Sequence, residues 1–490
     1  MIKDQIIKAL QKATGNGKVQ LEHPEDEKFG DFSTNIALQE KDKKNPREIA
    51  KEIVRRLKKD KELTEIISKI EVAGPGFINL SIKNDYFIKE AERVLRDKEK
   101  YGAGRLYQGK KVMVEYAHPN THKEFHIGHL RNICLGESLA RILKANGSKV
   151  IRTNYQGDIG LHVAKAVWGV ERKLEASNRK LEEVAKLAPP EKARFLGQAY
   201  AQGAQAYGKD FSVEREIDQL NQKIYQQDPE IVELWKTTRQ WSLDYFAWIY
   251  RRLGTNYDRL YLESEVAGPG TKNAQQLLKK GILEKSKGAV VFKGDQYGLD
   301  TRVFLTKENL PTYEAKELGL APLEFSQFGE IDRCIHVVGP EQTSFFQVTF
   351  RVEELWEPEK YKGKQYHLRY GLVDLKEGKM SSREGRIVAG MDVVDQVKEK
   401  VLEIMFKSQI KEREKTAEKI AVGAVKYSLL KQGVGKNIQF DIEESVSING
   451  DSGSYLQYTY ARAKSVLRKF EIRSASWRTK YEINSSIINH

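Results

Sequence analysis

The sequence has few cysteines and no long apolar segment. Its two cysteines, Cys134 and Cys334, lie far apart and show no CxxC or CxxH spacing, which excludes a disulfide framework and the usual structural zinc sites. We expect two ordinary buried thiols. No apolar run approaches the roughly 20 residues that a bilayer-spanning helix needs. The first residues, MIKDQIIKALQK, alternate charge with Ile and Leu, as an amphipathic helix does and a signal peptide does not. These features predict a cytoplasmic protein.

Acidic residues are fewer than basic ones. The 490 residues carry a formal net charge of +14, with 31% charged and 40% hydrophobic residues. This length predicts a globular protein of roughly two to four domains, because a single core does not grow that large. An excess of Lys and Arg releases counterions from polyanions, which makes nucleic acid a candidate partner.

The order of hydrophobic patterns predicts an α/β protein. About the first 105 residues read as a small mixed unit, in which a helix follows Pro46 and a Gly-Pro-Gly turn leads into a strand at 77–82. From Lys111 the chain reads strand, loop, long helix beginning near His126, and a second strand. Such a βαβ unit predicts a parallel sheet that binds its ligand at the carboxyl ends of the strands.

The rest of the chain reads as a helical insertion, more strands and a helical tail. Residues 161–257 are polar and helical in pattern, strand patterns return near 289, 302 and 333, and the tail from Met391 is mostly helix with a basic end.

The segment EYAHPNTHKEFHIGHLRN, residues 115–132, holds four of the nine histidines: His118, His122, His126 and His129. Two of them, His126 and His129, have a spacing that can bind zinc, but no nearby carboxylate or cysteine completes a ligand set. The same pair frames a glycine where a strand ends and a helix begins, a position that favours phosphate. Imidazoles there can stabilise charge that develops on a phosphate. For His122 alone, an exposed loop position is the simpler interpretation.

A second motif follows about 250 residues later. The stretch LVDLKEGKMSSREGR places Lys379, Ser381, Ser382 and Arg383 between two glycines. Together, the two motifs resemble the HIGH and KMSKS signatures of the class I aminoacyl-tRNA synthetases. HIGH is literal at residues 126–129, whereas KMSSR has Ser382 in place of the second lysine.

The missing lysine and the pattern PNxxKxxHxGHLR, residues 119–131, resemble the arginyl-tRNA synthetase family. This resemblance implies that Lys123 supplies the cation that the KMSSR loop lacks. It also implies a Rossmann-like parallel-sheet catalytic domain with HIGH and KMSKS-type motifs at 108–390, with the helical insertion at about 161–257. Residues 1–107, with FGDFSTNIA, NPREIA and VAGPGFINLSI, resemble the additional N-terminal domain that contacts the tRNA corner.

Residues 391–490 are implied to be a helical stem-contact region and the start of an anticodon-binding domain, because YLQYTYARAKSVLRK at 455–469 resembles that domain's first helix. The family's domain continues for about a further hundred residues, within ordinary domain size. We therefore expect a truncated anticodon-binding domain, and the alternatives are a truncated reading frame, one half of a split enzyme or a reduced variant.

The resemblance assigns the site residue by residue. Catalysis falls to His126, His129, Lys123 and Lys379, which stabilise charge without a covalent enzyme intermediate. ATP binding falls to Gly128, Gly339, Met380, Ser381 and Ser382. Arginine binding falls to Glu115, Asn120, Glu263, Tyr313, Glu317 and Gln342. Of these, Glu263, Tyr313 and Glu317 match the side-chain pocket, as a guanidinium with five donors needs acidic partners. In most family members Glu317 is Asp. ATP and Mg²⁺ are implied as cofactors, and no protein-bound metal is expected.

Two functions stay open. The first is ATP-dependent ligation of L-arginine to its tRNA through arginyl-adenylate. The second is a catalytically silent or partner-dependent tRNA-binding paralogue that retains the fold. A small-molecule nucleotidylyltransferase with an HxGH site is a more distant rival. The expected partners are L-arginine and arginine tRNA and not a membrane. We expect a monomer, with a partner chain that supplies the missing anticodon-binding part as the alternative.

Overall fold

The computed structural model describes residues 2–24, 26–39, 45–376, 389–406 and 411–487, without the side chains of residues 27 and 471–487. The chain divides into two compact units, residues 1–103 and 104–490. Within the described ranges, no helix combines the length and the apolar character that crossing a bilayer requires. Both cysteines are buried and unpaired, as the sequence predicts.

The first unit is a three-stranded antiparallel sheet, ordered β1-β3-β2, with helices packed against it. Its strands are β1 (Phe32–Thr34), β2 (Ile67–Ala73) and β3 (Phe77–Ile82). Its helices are α1 (Ile2–Thr14), α2 (Ile36–Gln39), α3 (Pro46–Leu57), α4 (Lys61–Ile66) and α5 (Asn84–Asp97), with 3-10 turns at Glu27–Phe29 and Lys98–Lys100. The helix predicted after Pro46 is present, and the Asn45 side chain caps it by accepting the Arg47 N–H.

The second unit is built on a five-stranded parallel sheet, ordered β11-β10-β4-β5-β6. These strands are β4 (Lys111–Glu115), β5 (Lys149–Gln156), β6 (Arg259–Leu262), β10 (Arg333–Val338) and β11 (Gln365–Arg369). A three-stranded antiparallel sheet contains β7 (Glu284–Ser286), β8 (Ala289–Phe292) and β9 (Arg302–Leu305), and a parallel pair contains β12 (Val373–Leu375) and β13 (Ile438–Phe440).

Helices make up most of the second unit. The first six are α6 (Ile127–Ala145), α7 (Leu161–Ser177), α8 (Leu181–Ala185), α9 (Pro189–Ala206), α10 (Phe211–Gln226) and α11 (Val232–Leu253). The others are α12 (Glu263–Lys279), α13 (Tyr313–Phe328), α14 (Thr343–Trp356), α15 (Pro358–Tyr361), α16 (Gly390–Ile404), α17 (Arg413–Leu430), α18 (Ile442–Ser445) and α19 (Gly453–Ile487), with 3-10 turns at Asp295–Tyr297 and Pro340–Gln342. Helices α7 to α11 occupy the stretch predicted to be a helical insertion.

The predicted βαβ unit consists of β4, α6 and β5, and its two strands pair in parallel with Glu115 opposite Thr153. On the other side of β4, His336 of β10 lies opposite Glu115. The carboxyl ends of these strands therefore meet at one edge, where an open parallel sheet binds its ligand. Helix α6 is anchored beneath this edge by Leu130, Ile133 and Leu143 in the main core of the unit.

Candidate active site

The loop between β4 and α6 has an unusual backbone. Ala117, His118 and His122 have φ angles of 86°, 49° and 62°, which residues with a Cβ rarely adopt. Hydrogen bonds hold the loop in this conformation: the Ala117 N–H donates to Asn132 Oδ1 at 2.6 Å, and the Thr121 N–H donates to the Gly157 carbonyl at 2.8 Å. The loop is therefore a fixed support for the residues that it presents.

The exposed loop position predicted for His122 is wrong. Its side chain is completely buried, and its ring nitrogens lie 2.9 Å from Thr121 Oγ1 and 2.8 Å from Thr238 Oγ1. Its backbone N–H donates to Ser242 Oγ at 2.9 Å. Burial, together with the nearby His162 and Arg239, lowers the pKa of His122 to about 3. His122 thus anchors the loop to α11 as a neutral ring, through hydroxyls that lie more than a hundred residues away in the chain.

The two signature histidines lie at the start of α6, and each ring accepts a hydrogen bond from a backbone N–H of the same turn. The Gly128 N–H donates to His126 Nδ1 at 3.1 Å, and the His126 N–H donates to His129 Nδ1 at 3.2 Å. Burial, followed by the charge of Lys123, lowers the pKa of His126. Burial, followed by the neighbouring His126, His118 and Lys123, lowers that of His129 further. A neutral ring that accepts at Nδ1 carries its proton on Nε2. Each ring can therefore donate a hydrogen bond from Nε2 to an anion at the helix N-terminus.

Gly128 and Lys123 complete this end of the site. A Cβ on Gly128 would lie 2.9 Å from Cε1 and Nδ1 of His126, so a side chain here would displace that ring. The ammonium of Lys123 lies 5.0 Å from the centre of the Tyr200 ring of α9. Its charge also contributes to the lowered pKa values of His126, His129 and His162. We call His126, Gly128, His129 and Lys123 the phosphate end.

At the end of β4, Glu115 forms a buried pair with His336. His336 Nδ1 lies 2.8 Å from Glu115 Oε1, its Nε2 lies 3.0 Å from Gln365 Oε1, and the Gln365 amide donates to Glu353 at 2.8 Å. Burial alone would raise the pKa of Glu115 and lower that of His336. Attraction to His336 reverses the shift of the Glu115 pKa, and Cys334 and then Glu115 reverse the shift of the His336 pKa. The pair is therefore an ionised carboxylate and an imidazolium whose two N–H groups both face acceptors.

A second buried pair lies at the start of α12 and α13. Lys316 Nζ donates to Glu263 Oε2 at 2.5 Å. Burial works against the charge of Lys316, but attraction to Glu263 raises the pKa of this lysine. The Lys316 ammonium also lies 5.1 Å from the centre of the Tyr313 ring.

Several buried polar atoms at this end have no hydrogen-bond partner within the described part of the chain, among them Glu115 Oε2, Glu317 Oε1 and Tyr155 Oη. Burial and the proximity of Glu115, opposed by His336, set the pKa of Glu317 at about 7. Burial and then the charges of Glu263, Glu317 and Glu115 raise the pKa of Tyr155, which therefore lies among all three acids. Unpaired buried polar atoms are rare and mark a place for ligand donors. We call Glu115, Tyr155, Glu263 and Glu317 the acidic end.

Asn120 and His118 connect the two ends. A Cβ on Gly157 would lie 2.1 Å from Asn120 Oδ1 and 3.2 Å from Glu263 Oε1, so both side chains approach the same glycine. His118 influences the pKa of Glu115 at one end and of His129 at the other. Hydrogen-bond donors for an anion and acceptors for a cation therefore belong to one continuous site.

Two family models match nearly the whole chain. The model for class I tRNA synthetases (R), catalytic domain, matches residues 90–442, and the model for the arginyl tRNA synthetase N terminal domain matches residues 1–82. The chain belongs to the arginyl-tRNA synthetase family.

Relatives and solved structures of arginyl-tRNA synthetases agree with this membership. The chain is 33% identical to the arginine–tRNA ligase of Borreliella afzelii over 489 residues, which cover 96% of this chain and 80% of the relative. It is 34% identical to that of Porphyromonas gingivalis over 426 residues, or 83% and 70% of the two chains. The structure of the Thermus thermophilus arginyl-tRNA synthetase superposes with a TM-score of 0.71 at 25% identity, covering 96% of this chain and 82% of that one.

Among the described residues, most predicted site residues come together at the carboxyl edge of the parallel sheet. Gly339 and Gln342 lie on the turn that follows β10 at this edge. Gln342 is exposed, and its N–H donates to the Gly339 carbonyl at 3.3 Å. No hydrogen bond joins the Gln342 side chain to the acidic end within the described ranges. The predicted Lys379, Met380, Ser381 and Ser382 lie outside the described residues.

Three residues of the site were missed from the sequence: His336, Tyr155 and Lys316. A histidine within the apolar strand RCIHVV was a detectable signal, as was a tyrosine at the end of the second strand of a βαβ unit. Lys316 had only its position beside Glu317 to distinguish it from an ordinary surface lysine.

Proposed function

We propose that this chain ligates L-arginine to its tRNA in two steps. The arginine carboxylate attacks the α-phosphate of ATP in line, which gives arginyl-adenylate and pyrophosphate. The terminal ribose hydroxyl of the tRNA then takes the arginyl group, and AMP leaves. The observation that carries the proposal is the continuity of the phosphate end with the acidic end, because this reaction needs a polyphosphate and a guanidinium side by side.

The phosphate end would act on ATP. The Nε2–H groups of His126 and His129 would donate to the α-phosphate as charge develops there, and Lys123 would stabilise the departing pyrophosphate. Gly128 would let the nucleotide approach the start of α6 without a side chain in the way. In this proposal Gly339 also contacts ATP, as do Lys379, Met380, Ser381 and Ser382.

The acidic end would bind arginine. Glu263 and Glu317 would accept hydrogen bonds from the guanidinium, with Tyr313 beside them. Glu115 and Asn120 would hold the α-amino and carboxylate groups, and we assign Gln342 to the same part of the substrate. This orientation points the carboxylate of arginine towards the α-phosphate.

The described residues contain no group of three or more His, Cys, Asp or Glu side chains that could hold a metal ion. Mg²⁺ keeps several waters and binds readily to substrate phosphates. We propose that it arrives with ATP.

We propose that the first unit contacts the corner of the tRNA, and that the helices from residue 391 contact its stem and begin the anticodon-binding domain. The net charge of +14 supports such a partner. We further propose a monomer that works in the cytoplasm, where two buried free thiols stay reduced. Light scattering of the purified chain tests the monomer, and a mass of two or more chains would contradict it.

The proposed activity is tested by pyrophosphate exchange. The purified chain is incubated with ATP, radiolabelled pyrophosphate and arginine, with and without arginine tRNA. Label should enter ATP when arginine is present. An absence of exchange under both conditions would refute the proposed activity and would leave the alternative, a tRNA-binding paralogue.

A further inference from the structure

Lys316 is a buried cation inside the candidate arginine pocket. Only 4% of its surface is exposed, and only 3% of the surface of its partner Glu263. Fully buried lysines are rare and are paired when they occur. The reaction proposed above gives Lys316 no part, although it lies next to Glu317 and touches Glu263.

The position of Lys316 limits what else can bind Glu263. Its ammonium donates to Glu263 Oε2, whereas Glu263 Oε1 lies on the side of Gly157 and Asn120. The rings of Tyr313 and Tyr225 lie 5.1 Å and 5.7 Å from the ammonium, so aromatic faces surround the charge. Lys316 thus fills the place beside Glu263 that a substrate's terminal ammonium would take.

We propose that Lys316 is a specificity-determining residue that excludes side chains ending in an ammonium, such as lysine, and leaves Glu263 Oε1 and Glu317 for a guanidinium. The inference rests on the proposed function, because it takes this pocket as the arginine site. A second point charge beside Lys316 would meet repulsion in a poorly solvated pocket. A guanidinium is delocalised, and its fork reaches two separate acceptors.

Binding of arginine and of lysine to the full chain, measured by isothermal titration calorimetry, tests this inference. Arginine should bind the unchanged chain at least about 100-fold more tightly than lysine, and Lys316→Met should narrow that ratio by about tenfold or more. Lys316→Gln removes the charge but keeps a hydrogen-bond donor, so it should narrow the arginine-to-lysine affinity ratio too. Lys316→Arg keeps the positive charge, so the ratio of arginine to lysine affinity should stay within about threefold of that of the unchanged chain.

The control is Lys192→Met, which removes a buried lysine of α9 from outside the site. It should leave the ratio unchanged, as should ATP affinity in every variant. On the unchanged chain, butylguanidinium should displace arginine and butylammonium should not, which tests the inference without a variant. An unaltered ratio in folded Lys316→Gln would overturn it, and so would equal binding of arginine and lysine to the unchanged chain. Arginine binding without pyrophosphate exchange would refute the proposed function alone.

Discussion

The two ends of the site differ in how many of their polar groups are already paired. At the phosphate end, His126 and His129 use one ring nitrogen each for the backbone, and their other ring nitrogens have no hydrogen bond to a described residue. Among the described residues the cation Lys123 lies over a ring rather than against a carboxylate. At the acidic end, Glu115 and Glu263 are already paired with His336 and Lys316. Glu317, the third carboxylate of the acidic end, has no such partner among the described residues.

Under the proposed function, this difference follows from what each end binds. A polyphosphate brings its own charge and metal, so donors at a helix N-terminus suffice for it. A guanidinium brings one positive charge, and several unpaired buried carboxylates would be too costly to keep ionised in its absence. Internal cations reduce the acidic end to about one free charge. Each end can therefore be weakened separately, and the following variants test that independence.

The largest effect should come from Lys123→Ala. Loss of the cation should lower arginine-dependent pyrophosphate exchange by about 100-fold or more, with circular dichroism unchanged. The matched control is Lys165→Ala, because the Lys165 ammonium also lies over a tyrosine ring, that of Tyr207. Unchanged exchange in Lys123→Ala would remove Lys123 from the mechanism and end its assignment to the phosphate end.

Glu263→Gln should weaken the binding of arginine rather than that of ATP. It keeps the shape of the side chain but removes the acceptor charge, so the KM for arginine should rise by about 10- to 100-fold while the KM for ATP stays constant. Glu171→Gln, on α7, is the control for a partly buried glutamate outside the site. A rise in the KM for ATP of equal size would show that the ends are not independent.

The pKa of about 7 for Glu317 predicts a pH dependence of arginine binding. The carboxylate is the form that accepts from a guanidinium, and it is lost as the pH falls through 7. The dissociation constant for arginine should therefore rise by about tenfold between pH 8 and pH 6. Calorimetry at several pH values measures this, and Glu317→Gln should remove the dependence. An affinity that is flat over this range would contradict an unpaired Glu317.

The smallest expected effect concerns the ring under Lys123. Tyr200→Leu removes the aromatic face and should lower exchange by about fivefold, whereas Tyr200→Phe keeps the face and should have little effect. Both variants are compared in the exchange assay at saturating arginine and ATP. Equal losses in the two variants would assign the effect to the hydroxyl of Tyr200 rather than to its ring.

Local patterns predicted the scaffold of the site well. The βαβ unit, the strand Phe77–Ile82 and the helix that begins after His126 are present, because alternation and helical spacing are properties of neighbouring residues. The signature HIGH indicated the phosphate end for the same reason. His126 and His129 are only three positions apart and must meet once α6 forms.

Long-range pairing explains what the sequence could not predict. His336 meets Glu115 across 221 positions of the chain, because β10 pairs with β4. Likewise, His122 is buried and forms hydrogen bonds with hydroxyls of α11. Because these hydroxyls are distant in the sequence, the local pattern predicted an exposed loop residue. The partners of the acidic end, His336 and Lys316, could not be predicted from the sequence, because separate elements bring them to the acids only in the folded chain.

The most direct test of the central claim is the charging of tRNA. The purified chain is incubated with ATP, arginine tRNA and radiolabelled arginine, and label in acid-precipitable RNA is counted, with labelled lysine in a parallel reaction. We predict arginine-specific, ATP-dependent label in the RNA, which is lost in Lys123→Ala and reduced in Glu263→Gln at low arginine concentration. If a folded chain that binds the tRNA gives no label in any reaction, this result would contradict a single site that joins the phosphate end to the acidic end.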